Sequence, residues 1–175
     1  MVEPSEVESL RQRPEFPAVT RLLVSEEAVY GLILVSGMIV VSNSVVGTSL
    51  NALATVVVTV LVFFAAHVYA GTLARMVATG GRDKRACFLA AVRHSEGMLL
   101  ISLLPLAILL LGVSRLVDDD LAIWGALSVD TLALGVLGWL AVSKWTRRFW
   151  PRLLSALITA GFGAAITALK AFVTH

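Results

Sequence analysis

Hydrophobic positions along this chain come in long unbroken blocks rather than at amphipathic spacing, and the polar residues collect between them. Five apolar segments stand out, at about 25–41, 51–74, 97–113, 121–142 and 153–173. A helix needs roughly 20 such residues to cross about 30 Å of hydrocarbon, so each block is read as a membrane span. Residues 1–20, "MVEPSEVESLRQRPEFPAVT", form a polar tail and 21–175 a single transmembrane domain. The tail is acidic, has three prolines and lacks a basic n-region, so it does not read as a secretory signal.

The links between spans carry their own signals. "SNSVVGTSLN" (42–51) has no charge and reads as a tight hairpin turn. Gly80-Gly81 should break the second helix. Beyond them, Cys87, Phe88, Ala91 and Val92 recur at helical spacing among Arg85, Arg93 and His94, which predicts a short helix lying on the headgroups. Pro105 falls inside the third span, where membrane helices tolerate proline. "SRLVDDD" (114–120) is the next turn, its aspartates suited to capping the fourth helix, and Pro151 fits the first turn of the fifth. The expected fold is all-α: a polytopic integral membrane protein with five transmembrane helices and one short interfacial helix.

Composition agrees. The chain is 58% hydrophobic and only 15% charged, with a mean hydropathy of +0.87, whereas soluble domains are about a quarter charged. The pI near 9.0 implies no nucleic-acid partner, because the cations gather in particular loops. Alternate sides of the five spans carry 12 and 2 of the 14 basic residues, which puts the N-terminus in the cytoplasm and the C-terminus outside. Cys87 is the only cysteine, so there is no intramolecular disulfide and no CxxC motif. The three histidines lack metal-ligand spacing, and GxSxG, HExxH and Walker-type loops are absent, so neither an enzyme, a metal nor a cofactor is expected.

Charges inside a bilayer are costly and mark function by default. Asp130 lies nine residues after Leu121, about 13 Å along the fourth span, on a face with Ala126, Ala133, Leu137 and Ala141. It reads either as a protonated group bonded to a neighbouring Ser, Thr or Asn, or as a proton relay or cation site. In the first hairpin, centred on Gly47, Glu27 and His67 are each 20 residues from the turn and so share one depth. A polar network of Arg21, Glu27 and His67 is expected there, with Tyr30 and Tyr69 near enough to join. Glu26 reads as a headgroup-level acid at the helix start. Ser155, Thr159, Gly163 and Thr167 make a small-residue packing stripe, within the protomer or between protomers, and Gly31 and Gly37 give span one a similar face.

The first hairpin resembles the lysosomal potassium channel family and its short bacterial relatives. Arg21, then Glu27 with "AVYGL", is similar to the family's first helix, in which an arginine precedes Phe-Ser-Asp and a small and apolar run. Glu27 stands at the family's aspartate, while Ser25 and Glu26 replace its Phe and Ser. "VFFAAH" (62–67) resembles the second-helix pattern of aromatics followed by histidine, with Phe64 for tryptophan and His67 matching, and "LLP" (103–105) is also alike. The resemblance implies that first helices surround a shared axis with Leu32 at the apolar constriction. The family unit has six spans and this chain five. "EAVYG" and "AHVYA" are similar, too, to small membrane proteins of high-GC bacteria, a likeness that supplies no activity.

These readings combine into an expected homo-oligomeric membrane protein of the bacterial inner membrane. It would form a potassium or proton pathway through Glu27, Tyr30, Leu32 and Asp130, with the lipid bilayer, further copies and a small cation as partners. Two rivals remain open: a non-catalytic accessory or assembly subunit of a larger membrane complex, and a proton-coupled transporter using Asp130.

Overall fold

The apolar blocks fold as five helices, and no strand occurs among the described residues. The structure is a computed structural model that describes residues 25–45, 47–81 and 83–173, leaving out the side chains of 43–45 and 173. In chain order the helices are α1 (Glu26–Val45), α2 (Ser49–Ala78), α3 (Lys84–Val113), α4 (Asp119–Ser143) and α5 (Phe149–Val173). Among the described residues, α2 to α5 are each long and apolar enough to cross a membrane, as in an integral membrane protein. The polar tail, with Arg21, lies outside the described residues.

Local chemistry sets the helix ends. Gly47 turns the chain at φ 69°, and the Thr48 hydroxyl then caps α2 by accepting from the Asn51 N–H. At the other end of α2, Gly80 and Gly81 take φ values of 63° and 75°. The Gly81 N–H reaches Met76 O at 2.8 Å and the Gly80 N–H reaches Val77 O at 3.3 Å, the paired bonds of a Schellman motif. Asp83 caps α3 through the Ala86 N–H at 3.0 Å. The end of α3 repeats the motif, with Leu116 N–H on Leu111 O and Arg115 N–H on Gly112 O. Here the left-handed position holds Arg115, at φ 58°. A side chain there costs about 1 kcal/mol relative to glycine. Arg115→Gly is therefore expected to raise stability by about that amount, seen as a higher thermal unfolding midpoint in detergent.

One expected element does not form. The polar stretch before the third span is no separate interfacial helix: residues 84–96 are the first turns of α3, which runs unbroken for 30 residues. No glycine or proline lies between Lys84 and Glu96, so nothing interrupts the hydrogen-bond ladder. Polarity there changes what the helix touches, not whether it continues.

The helices pack as two antiparallel hairpins, α2 with α3 and α4 with α5, and α1 sits between them in contact with all four. This makes the helix with two first-turn acids the centre of the bundle. The core has two apolar layers. One holds Ala28, Leu32, Ile101, Leu134 and Leu137; the other includes Val35, Ile39, Val56, Leu109, Ile123 and Leu127. On the outside, α2 presents Val57, Val58, Leu61 and Val62, a surface suited to acyl chains.

Candidate functional site

The two apolar layers are separated by a polar pair. Ser36, at the middle of α1, donates its hydroxyl proton to the carboxylate of Asp130 on α4. Ser36 is 1% and Asp130 0% exposed, and Asp130 Oδ1 has no hydrogen-bond partner. Along α1 the pair follows Leu32 and precedes Ile39; along α4 it lies between Leu127 and Leu134. A serine one turn from either layer gave no sequence signal by itself. Its significance comes only from the helix that faces it.

The second polar station is at the start of α1. Ser25 Oγ accepts from the Ala28 N–H at 3.2 Å, opening the helix so that Glu26 and Glu27 both fall in its positive first turn. One helical step separates their surroundings. Glu26 is exposed, whereas Glu27 is 4% exposed and its Oε1 lies 2.6 Å from His94 Nε2 on α3. The other oxygen, Oε2, has no hydrogen-bond partner.

The expected pairing of Glu27 with His67 is thus replaced. His67 turns its Nδ1 to Phe63 O at 3.1 Å, one turn back along α2, and its ring packs on Phe63 at 4.6 Å. Equal depth in a hairpin does not fix direction around each helix, and His67 points elsewhere. The third member of that expected network, Arg21, is outside the described residues. Tyr30 and Tyr69 are 54% and 67% exposed, on the outer surface of the bundle rather than along its interior.

Leu32 also departs from its expected place. It is 0% exposed and packs within the chain in the layer that contains Ile101, Leu134 and Leu137. It cannot line an axis shared by protomers in this arrangement, because α3 and α4 already cover it. Gly31 shows why α1 seats so closely on α3: a Cβ there would come 2.9 Å from Met98 Cγ and 3.4 Å from Met98 Cα. Around Gly37 there is open space, so it makes no close helix contact inside the protomer.

The stripe on α5 is used inside the chain. Ser155 Oγ donates to Gly138 O at 2.9 Å, Gly163 lies against the Thr131 backbone, and Thr167 Oγ1 is 3.5 Å from Thr131 Oγ1. Beside it, a cleft of 260 Å³ is lined by Glu26, Val29, Gly138, Ala141, Ser155 and Thr159.

At the opposite end of the bundle the three aspartates divide their work. Asp118 occupies the N-cap of α4 without a side-chain cap bond. Asp119 instead accepts from the Ser49 N–H at 3.0 Å, tying the first turn of α2 to α4. Asp120 lies 3.8 Å from Lys170 Nζ, which in turn sits 4.1 Å over the Trp124 ring. Lys170 is only 2% exposed; a lysine near the chain end gave no hint of burial. Asp118 and Asp119 also help line a 420 Å³ opening with Thr48, Gly112 and Arg115.

Among the described residues, one group has the geometry to hold a metal ion. A ligand atom from each of Glu26, Glu27 and His94 lies within 4.8 Å of the others. Their positions in sequence, two adjacent acids and a histidine 67 residues on, hide the grouping. The chain matches no protein-family model, no curated protein and no solved structure.

Proposed function

We propose that this chain is a multi-pass membrane protein of five spans that carries protons, or a small cation, through the interior of each protomer, with Asp130 as the central relay. The observation that carries the reading is the Ser36–Asp130 pair, sealed between two apolar layers with one carboxylate oxygen unpartnered. An aspartate at mid-span costs about 2.5–3.5 kcal/mol on insertion scales. A hydrogen bond between membrane helices returns only about 0.6–2 kcal/mol, so the bond to Ser36 does not by itself offset that cost. A carboxyl group held by a hydroxyl can instead take up and release a proton without moving its backbone.

Glu27 and Ser36 are nine positions apart on one helix, about 13 Å along its axis. Leu32 lies between them. In this reading the Leu32 layer is an apolar barrier between a mouth station, Glu27 with His94, and the buried relay. The role that the channel resemblance assigns to Leu32 is kept, but the barrier is inside one protomer. The intramolecular use of the α5 stripe supports the same unit.

The charge pattern supports a cytoplasmic N-terminus and an external C-terminus, with α1 as the fifth span. Trp145 and Trp150, 89% and 77% exposed, suit the cytoplasmic headgroup level. The glutamate mouth then faces the cytoplasm and the Lys170–Asp120 end the outside. The bacterial inner membrane is the setting that best fits this arrangement.

The test is proton flux into proteoliposomes of the full chain, driven by an imposed membrane potential and read with a trapped pH dye. Asp130→Asn keeps the shape and the bond to Ser36 but removes the titrating carboxyl. It is expected to lower flux by roughly 10²-fold or more, the lower end of a positioned acid–base group's contribution. Leu32→Asn, which wets the barrier, is expected to raise it. Flux absent from the parent, or equal in parent and Asp130→Asn, rules the reading out. Flux that follows potassium rather than protons assigns the pathway to the cation.

A further inference from the structure

We propose that Glu26, Glu27 and His94 form a binding site for a divalent first-row transition cation, of the Zn²⁺ or Co²⁺ type, where α1 meets α3. The site shares Glu27 and His94 with the mouth of the proposed pathway, but its argument and its test do not rest on proton transport through Asp130.

Three features of the cluster point to a metal. Each residue offers one ligand atom within 4.8 Å of the others. Zinc bonds of about 2.0–2.2 Å to nitrogen and oxygen put the ligand atoms of a tetrahedral site about 3.4 Å apart, so a closing movement of about 1 Å brings all three onto one ion. The second feature is independent of that spacing. The Glu27 side chain is only 5% exposed and its Oε2 is buried with no hydrogen-bond partner. A carboxylate out of water with an oxygen left over is a costly arrangement, and a bound dication would satisfy both oxygens. His94 holds the other oxygen, with its Nε2 at 2.6 Å. That bond sits where a metal would take the place of the shared proton.

The third feature is the route in. The His94 side chain is 54% exposed and Glu26 lies at the surface, so an ion can reach the buried carboxylate from water. Three protein ligands would leave coordination positions for water on that side. The ligand types narrow the ion. One imidazole with two carboxylates suits borderline cations, whereas Ca²⁺ and Mg²⁺ prefer oxygen alone and Cu(I) prefers sulfur. Glu26 and Glu27 also share the positive first turn of α1; a dication here relies on their two negative charges to offset that end of the helix.

The experiment is a Co²⁺ titration of tag-free, full-length protein in detergent, followed by the visible absorption of the bound ion. One equivalent is expected to bind, to be displaced by an equimolar amount of Zn²⁺, and to resist excess Ca²⁺. Glu27 is buried, so its own variant is a poor probe of binding; Glu26→Gln and His94→Ala carry the test from exposed positions. Each is expected to weaken binding by more than about 100-fold, the upper end of what losing only an outer-shell partner costs. His67→Ala, whose histidine bonds Phe63 O instead, should leave binding unchanged. The proposal is overturned by the absence of saturable binding near one equivalent, by displacement with Ca²⁺, by an equal loss in His67→Ala, or by retention of affinity in either Glu26→Gln or His94→Ala. Asp130→Asn should bind Co²⁺ like the parent, which keeps this result separate from the flux measurement.

Discussion

Leucine in place of Gly138 is expected to remove most of the folded protein. A Cβ at that position would lie 2.7 Å from Ser155 O and 3.1 Å from Ser155 C. Those are backbone atoms of α5, so no rotamer change relieves the clash; the two helices must separate. Separation would also break the bond from Ser155 Oγ to Gly138 O and loosen Gly163 from Thr131. Overpacking a core costs about 1–3 kcal/mol where side chains can yield, and more where they cannot. A loss of about 3 kcal/mol or more is a large share of a typical protein's stability. Gly37→Leu is the matched control, because nothing stands near Gly37. Monodisperse yield and thermal midpoint in detergent should fall sharply for Gly138→Leu and stay near the parent for Gly37→Leu. Similar behaviour in both would mean that α4 and α5 do not meet along this seam.

Ser36→Ala is expected to be the next most damaging change, despite its small size. The hydroxyl is the hydrogen-bond partner of a fully buried carboxyl group. Its removal leaves Asp130 with neither oxygen satisfied, at a cost of about 1–3 kcal/mol. The loss should depend on the aspartate. With Asp130 first changed to Ala, removing the hydroxyl should cost much less, because no orphaned acceptor remains. A double-mutant cycle read by chemical or thermal unfolding tests this. Additive losses would show that the pair contributes nothing jointly.

Much of the helical layout is legible in the residues because it is decided locally. Gly80-Gly81 ends α2 with the hydrogen bonds expected of glycine, and Pro151 falls in the first turn of α5. The misreading at 84–96 has the opposite cause. Hydropathy reports what surrounds a segment, but helix continuity depends on the backbone, and no breaker is present there. A separate surface helix would hold His94 apart from Glu27, whereas the continuous α3 brings it there.

The interior site was legible only in part. Asp130 announces itself because charge is rare in an apolar run. Ser36, its partner, is one of several serines, and only the rotation of α1 against α4 selects it. The same limit applies to His67, whose depth can be counted while its direction cannot. Lys170 lay beyond such counting altogether, since its burial depends on Trp124 and Asp120 from another helix. Sequence separates elements and depths well; it does not supply the angular settings that bring side chains together.

The length of α2 and α3 has a geometric consequence. Thirty residues make a rod of about 45 Å, against about 30 Å of hydrocarbon. The charged first turns of α3, with Lys84, Arg85 and Arg93, belong in the excess, together with the end of α2 that carries Arg75. In the proposed orientation the two helices would project from the bilayer as an antiparallel pair, joined near the Gly80-Gly81 turn. His94 lies on that projecting part of α3, ten residues after Lys84 and so about 15 Å from the start of the helix, which places its contact with Glu27 at the level where the pair would enter the hydrocarbon.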